Sequence, residues 1–146
     1  MRILVTFFLF VVLSIDANPS FQDNAMYSAE LRVNVDSISN TDGKMVIALF
    51  TNKETWLKDG KAYISERIKF DSTYLTYTFK KLPIGKYGIA VYHDKNKNGT
   101  FDRSFLGLPK EPYGFSNNPK RILSKPSFRK VEIGLKKDTS IIIYLK

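Results

Sequence analysis

The feature that most constrains the fold of this chain is an alternation of apolar and polar residues with a period of two. Leu31, Val33 and Val35 alternate with Arg32, Asn34 and Asp36, and the pattern recurs later in the chain. Successive side chains of a strand point to opposite faces, so this period predicts half-buried β-strands. Seven candidate strands result, at residues 31–36, 45–50, 64–70, 74–80, 87–93, 128–135 and 139–145. Their short spacing and the lack of a long helical period predict an all-β fold, a single antiparallel β-sandwich.

The N-terminus has a charged residue, an apolar run and a small residue in the order typical of a secretory signal peptide. Arg2 precedes the apolar run 3–15, and Ala17 supplies a small residue at a cleavage point. The run has 13 residues, whereas a transmembrane helix needs about 20, which disfavours the alternative of an uncleaved anchor. We therefore expect a signal peptide at 1–17, a leader at 18–28 and the β-sandwich domain at 29–146. The expected location is the periplasm or the exterior, with no stable membrane span after cleavage.

The chain is basic and has no cysteine. Its formal charge is +9, and removing 1–17 takes away Arg2 and Asp16, which leaves 22 basic and 13 acidic residues and the same net charge. A basic exported protein can meet an anionic polysaccharide, a lipid surface or another envelope partner. Nucleic acid is not expected, because the basic residues are dispersed and no nucleic-acid-binding signature accompanies them. The alternative is a solvated surface that keeps the protein soluble.

Residues 94–127 form the one long stretch without periodicity. Loops beyond about 15 residues are uncommon in compact domains unless they are functional or disordered. This one contains Phe101, Phe105, Leu108, Tyr113 and Phe115. These side chains predict a long loop that is ordered against the sandwich.

The first part of this loop carries the spacing of a calcium loop. Oxygen-bearing side chains stand at the first, third, fifth and ninth places, a glycine at the sixth, and the seventh residue can give its backbone carbonyl. A hard cation with oxygen ligands suits this set, and Ca²⁺ is the expected ion. The candidate ligands are Asp94, Asn96, Asn98, Asp102 and the Thr100 carbonyl, with Glu111 as the nearest spare carboxylate.

The loop is not an EF-hand. Its twelfth place is Phe105 rather than a bidentate glutamate, and no helical pattern flanks it. Lys95, Lys97 and Arg103 lie among the ligands, so we expect a Kd on the order of 10⁻⁴–10⁻³ M. The alternative is an Asn-Gly turn without an ion, because Asx residues also close turns by themselves.

Several sequence blocks in a fixed order resemble the bacterial family called domain of unknown function 2141. They are Leu-Pro-x-Gly-x-Tyr from Leu82, the His93–Asp102 loop, the 105–111 block, the 113–118 block and Pro-Ser-Phe from Pro126. The resemblance covers roughly residues 29–146 and implies an exported, all-β protein of Gram-negative bacteria without an established activity. Carried over to this chain, the matched polar positions are His93, Asp94, Asn96, Asn98, Asp102, Glu111, Ser116, Asn117 and Asn118.

This chain departs from the family pattern at Pro112 and at Arg129-Lys130, which stands where an acidic stretch is usual. The second departure puts in doubt any further carboxylate ligand from that segment. The Leu-Pro-x-Gly-x-Tyr turn also resembles transthyretin-like sandwiches. The expected sandwich is therefore of the immunoglobulin or transthyretin-like kind.

The expected function is a non-catalytic binding or structural module of the cell envelope. The cation would fix the loop so that Glu111 to Asn118 present a defined surface. The residues expected to bind at this surface are His93, Tyr113, Phe115, Ser116, Asn117 and Asn118. A first alternative is an envelope hydrolase that uses His93 with Glu111 or Ser116. A second is a carbohydrate-binding module, with Trp56, Tyr113 and Phe115 as a stacking platform.

Overall fold

A computed structural model describes residues 27–120 and 125–146 of the chain. The predicted signal peptide and nearly all of the predicted leader lie outside the described residues. Those described form eight strands and one single-turn helix. The elements are β1 (Ser28–Asp36), β2 (Lys44–Phe50), β3 (Ile64–Ile68), β4 (Leu75–Pro83), β5 (Gly85–Asp94), β6 (Tyr113–Phe115), α1 (Phe128–Val131), β7 (Ile133–Leu135) and β8 (Thr139–Tyr144).

The strands form two sheets that pack face to face, so the predicted all-β sandwich is confirmed. The smaller sheet has the order β4-β1-β8, and the larger one has the order β3-β2-β5-β6, with β7 also paired to β5. Neighbouring strands are antiparallel with one exception, because β1 and β8 run parallel from Leu31↔Thr139 to Asp36↔Tyr144. The prediction of a purely antiparallel sandwich is wrong at this pair. No helix among the described residues is both long and apolar enough to cross a bilayer.

The main core lies between the two sheets. The alternating residues of β1 face inward, and Leu31, Val33 and Val35 are fully buried. The inward face of β5 supplies Ile89 and Val91 in the same way. The period of two in the sequence therefore does separate the core side from the outer side of these strands.

A second apolar cluster covers the outer face of the larger sheet. Trp56, from the β2–β3 connection, packs on Phe50 and on Phe128 of α1, with ring centroids 5.1 and 5.9 Å apart. A Cβ at Gly88 would lie 2.8 Å from Phe128 and 3.1 Å from Trp56, so only glycine lets these rings approach the sheet. The Trp56 indole N–H donates a hydrogen bond of 2.8 Å to the Pro126 carbonyl. Because both faces of the larger sheet are covered, its β2 reads as a continuous apolar run.

The structure corrects two elements of the sequence interpretation. The predicted strand 128–135 is a helical turn at Phe128–Val131 followed by the three-residue strand β7. Phe128 and Val131, three residues apart, both turn toward the outer cluster, a spacing that fits one face of a helix and not one face of a strand. The stretch 94–127 is not without regular structure, since it contains β6.

Strand β6 joins the two sheets at one corner of the sandwich. It pairs with β5 through Ala90↔Phe115 and Tyr92↔Tyr113. At its other edge the Lys146 N–H donates to the Tyr113 carbonyl at 2.9 Å. This junction anchors the far side of the long loop.

Candidate functional site

The loop predicted to bind a cation follows directly from β5, the central strand of the larger sheet. His93 and Asp94 end the strand and are 0% and 1% exposed, and β2 pairs with both of them. The chain then leaves the sheet, and residues 95–100 are mostly exposed. The first ligand position is therefore fixed by a rigid, buried strand end.

The Asp94 carboxylate is held inside the loop with one oxygen bonded and one without a partner. Its Oδ2 accepts a hydrogen bond from the Gly99 N–H at 2.9 Å. Its Oδ1 is buried and has no hydrogen-bond partner. A buried carboxylate oxygen without a partner is unfavourable, because it has lost water and gained nothing in return. Within the loop 94–102, this oxygen is the one buried polar side-chain atom that lacks a hydrogen-bond partner.

Three further predicted ligands converge on one another. The Asn96 amide donates to Asp102 at 2.7 Å, and the Asn98 amide donates to both Asp102 oxygens at 3.1 Å. Their own amide oxygens close Asx turns, Asn96 with the Asn98 N–H at 3.1 Å and Asn98 with the Thr100 N–H at 2.8 Å. The side chains of Asn96 and Asn98 thus meet at the Asp102 carboxylate on the exposed side of the loop.

These amides also set the charge state of Asp102. The hydrogen bond from Asn98, followed by that from Asn96, lowers the pKa of the Asp102 carboxyl below its ordinary value of 3.8. Hydrogen bonds to the ionised form favour that form. Asp102 is therefore an anion over the whole neutral range.

Glu111 closes the loop from outside. It is 6% exposed, and its two oxygens accept the backbone N–H groups of Lys95 at 3.2 Å and of Asp102 at 3.1 Å. These two groups stand at the start and at the end of the loop, so one side chain holds both ends together. Sequence reasoning selected Glu111 as a spare carboxylate but did not foresee this bracing.

Arg67 of β3 is a contact that sequence reasoning missed. Its guanidinium donates to the Gly99 carbonyl at 2.6 Å, and the Tyr92 hydroxyl donates to the same oxygen at 3.3 Å. Gly99 has a φ of +83°, which glycine adopts without strain. The contact fixes the loop tip and places a positive charge beside it, which would oppose the binding of a cation.

Within residues 27–120 and 125–146, no three or more His, Cys, Asp and Glu side chains lie close enough together to hold a metal ion. The loop offers two aspartates, two asparagines and backbone carbonyls instead. That donor set fits a hard, oxygen-seeking cation and not a thiolate- or imidazole-seeking one.

His93, the residue on which the hydrolase alternative depends, is enclosed. Its Nε2 pairs with the Asp42 carbonyl, and its Nδ1 is buried without a partner. The ring stands edge-on to Phe70, with centroids 5.2 Å apart. The structure does not bring His93 into hydrogen bonding with Glu111 or Ser116, whose polar atoms bond to backbone groups.

The segment Ser116–Asn118 fastens three neighbouring elements. The buried Ser116 hydroxyl accepts the Ile89 N–H at 3.0 Å and donates to the Val131 carbonyl. The Asn117 amide donates to the Glu132 carbonyl at 3.0 Å. Asn118 donates to the Ile142 carbonyl at 2.8 Å and accepts the Tyr144 N–H at 3.0 Å, in the manner of a strand next to β8.

The aromatic residues of the predicted stacking platform form part of a continuous line of rings. Trp56 is 5% exposed and contacts Phe115, which contacts Tyr113, which in turn contacts Phe101, with centroids 5.6–5.8 Å apart. Trp56 is therefore internal and cannot present a face to a sugar. Tyr113 and Phe115 are half-buried.

Tyr113 and Phe115 line a groove of about 590 Å³ beside the loop. One wall is the segment 107–110, and Phe101 contributes to its aromatic floor. Among residues 27–120 and 125–146, six basic side chains border the groove, against one acidic side chain, that of Glu111. They are Lys95, Arg103, Lys110, Lys120, Lys125 and Lys146.

Comparison with known proteins gives one match. Residues 33–142 match a family model described as "Uncharacterized protein conserved in bacteria (DUF2141)". No curated protein and no solved structure matches the chain.

Proposed function

Since the chain belongs to this family of uncharacterized bacterial proteins (DUF2141), whose description assigns no activity, we propose a function from the geometry of the chain itself. The protein is an exported, non-catalytic binding or structural module of the cell envelope. A Ca²⁺ ion orders the loop 94–102, and the ordered loop holds the adjoining groove in shape. Asp94, Asn96, Asn98, Asp102 and the Thr100 carbonyl would hold the ion, with Glu111 bracing the loop.

The observation that carries the ion proposal is the bare Oδ1 of Asp94. This atom is buried in a residue 1% exposed and lacks a partner. It stands at the first ligand position of a loop whose other candidate side chains meet at Asp102. A divalent cation would supply the missing partner and neutralise the buried charge.

Three placements support a module rather than a hydrolase. His93 is fully buried and bonds to a backbone carbonyl. Ser116 is fully buried and bonds to two backbone groups. Both oxygens of Glu111 receive backbone N–H groups. The side chains that a hydrolase would use are therefore engaged in hydrogen bonds to backbone groups, which stabilise the fold.

Export is supported by the N-terminal pattern of Arg2, an apolar run and Ala17. N-terminal sequencing of the protein recovered from the periplasm tests it. Asn18 is the expected first residue, whereas an intact Met1 on that protein would contradict cleavage.

The ion proposal predicts a calcium-dependent gain in stability that disappears in Asp94→Asn. At a Ca²⁺ concentration about ten times Kd, binding adds about 1.4 kcal/mol, which raises Tm by roughly 5 °C. Without Ca²⁺, Asp94→Asn should be at least as stable as the wild type, because it removes an unpaired buried charge. Differential scanning fluorimetry in EDTA and in about 10 mM CaCl₂ measures both effects.

The matched control is Glu54→Gln, which neutralises an exposed carboxylate of the β2–β3 connection. It should keep the full calcium response. The same three proteins, digested with a protease in each buffer, should show slower cutting within 94–118 in Ca²⁺ than in EDTA for the wild type and for Glu54→Gln only. An unchanged wild-type Tm in Ca²⁺, or equal cutting in both buffers, contradicts the proposal.

A further inference from the structure

A short hairpin beyond the ion loop holds apolar side chains out in the solvent. We call residues 103–109 the apolar hairpin. Phe105 is fully exposed, at 104%, and Leu106 and Leu108 are 80% and 53% exposed. Contiguous exposed apolar residues of this size mark interaction surfaces in soluble proteins.

The hairpin is firmly built, so the exposure is a property of the fold. The Ser104 N–H donates to the Leu108 carbonyl at 2.7 Å, and the Gly107 N–H donates to the Ser104 carbonyl at 2.8 Å. The Ser104 hydroxyl accepts the Leu108 N–H at 3.1 Å, and the Arg103 guanidinium donates to the Gly107 carbonyl at 3.2 Å. These bonds fix the hairpin backbone in a position that keeps Phe105 and Leu106 away from the sandwich.

Positive charge surrounds the base of the hairpin. Arg103 lies 5.0 Å above the Phe101 ring, and Lys110 and Lys95 border the groove that the hairpin walls off. The lining of that groove also includes Lys120, Lys125 and Lys146. An apolar tip with a basic rim is complementary to an anionic bilayer, whose acyl region accepts the tip and whose phosphates accept the cations.

We propose that this end of the molecule docks on the surface of an anionic phospholipid bilayer. Phe105 and Leu106 insert at the boundary between headgroups and acyl chains, and the basic groove receives lipid phosphate groups. The charge distribution disfavours a second copy as the occupant, because the same basic rim would face itself. This proposal rests on the proposed function, because the hairpin directly follows the loop that the ion would order.

The test is co-sedimentation of the full mature chain with phosphatidylcholine vesicles, with and without about 30% phosphatidylglycerol. We expect binding to the anionic vesicles only, weakened several-fold at about 0.5 M salt, where surface charges are screened. Phe105→Ala with Leu106→Ala should reduce the partition coefficient at least tenfold. Lys110→Gln should reduce it about fivefold.

Matched controls come from the opposite end of the sandwich. Tyr27 is 70% exposed and its carbonyl bonds to Ile84 at the β4–β5 turn, so Tyr27→Ala should bind as the wild type does. The exposed Lys80 of β4 provides the charge control, Lys80→Gln. All four variants alter only exposed side chains, and a Tm equal to that of the wild type confirms that each variant is folded.

Equal binding by the hairpin variant and the wild type overturns the proposal, as does an absence of binding to anionic vesicles. A wild-type dimer that the hairpin variant converts to a monomer overturns it as well, since a second copy would then cover the tip. A soluble sulfated polysaccharide that displaces the protein from vesicles, and that binds the hairpin variant as tightly as the wild type, also overturns the proposal.

Each measurement is made in EDTA and in Ca²⁺, which separates the two proposals. Binding that is equal in both buffers supports docking while contradicting the role of the ion. Calcium protection of the loop without any vesicle binding leaves the ion proposal intact and overturns docking.

Discussion

Two buried carboxylates of the loop region have opposite surroundings. Glu111 receives a backbone N–H on each oxygen, whereas Asp94 receives one on Oδ2 and none on Oδ1. Hydrogen bonds from backbone amides compensate a buried charge, and a bare oxygen remains uncompensated. Glu111 therefore uses both oxygens to hold the loop together, whereas Asp94 keeps one oxygen without a hydrogen-bond partner.

At this scale the titration of Asp102 is predictable. Its pKa is lowered by Asn98 first, so its contribution to stability is complete above the unfolded-state value of 3.8 and is lost as pH falls through the lower folded value. An NMR titration of the carboxyl should show a midpoint below 3.8, and Asn98→Ala should move that midpoint upward.

The control for this titration is Asn52→Ala, since Asn52 bonds to Thr55 in a different connection. It should leave the Asp102 midpoint in place. A midpoint of Asp102 that does not respond to Asn98→Ala would show that the amide contact is absent in solution.

The loop residues were predictable from sequence, because their alternate spacing directs Asn96, Asn98 and Asp102 to one side of a bend. The bracing by Glu111 and the contact of Arg67 with Gly99 were not. Both depend on how far-apart segments approach each other, and neither leaves a local pattern.

Among the elements, β5 and α1 are linked by one hydroxyl. Ser116 connects the Ile89 N–H of β5 to the Val131 carbonyl of α1. Ser116→Ala would leave both groups buried without a partner, so we expect a loss of about 1–3 kcal/mol in the free energy of unfolding. Urea denaturation followed by Trp56 fluorescence measures it.

The matched change is Ser65→Ala at an exposed position of β3, which should stay within about 0.5 kcal/mol of the wild type. A Ser116→Ala protein as stable as Ser65→Ala would mean that water or a shifted backbone replaces the hydroxyl.

The strands with a clear period of two were predictable, as β1 and β5 show. The three residues of β6 were not, because a glycine at its centre leaves too little alternation to recognise. The single turn of α1 was mistaken for part of a strand, since Val131, Ile133 and Leu135 alternate with a period of two. Short elements of this kind take their conformation from the sheet on which they pack.

At the scale of the whole molecule, the two sheets meet where β6 approaches β8. A Cβ at Gly114 would lie 2.5 Å from the Ile143 side chain and 2.8 Å from the Tyr144 carbonyl. Because that carbonyl belongs to a paired strand, Gly114→Ala must push the sheets apart, and we expect a loss of about 2 kcal/mol. Thermal and urea unfolding give the value.

Gly134 offers the comparison, since a Cβ there would meet nothing within 4 Å. Gly134→Ala should be neutral or slightly stabilising. If both alanine variants behaved alike, the close junction at Gly114 would be contradicted.

The sandwich as a class followed from the strand pattern, whereas the pairing of strands did not. Which strand lies beside which is decided by packing across the core. The parallel neighbours β1 and β8 lie far apart in the sequence, and no local pattern in either segment indicates which strand it pairs with.

That parallel pair has a consequence for how the protein is made. Strand β1 is the middle strand of its sheet, and its contact with Thr139–Tyr144 closes a loop of more than 100 residues, as the Leu31↔Thr139 pairing shows. Such distant contacts slow folding, because chain entropy is lost before the contact forms. A nascent chain must therefore keep one flank of β1 unpaired until β8 has been synthesised, and release or truncation before that point would leave a bare, pairing-prone edge.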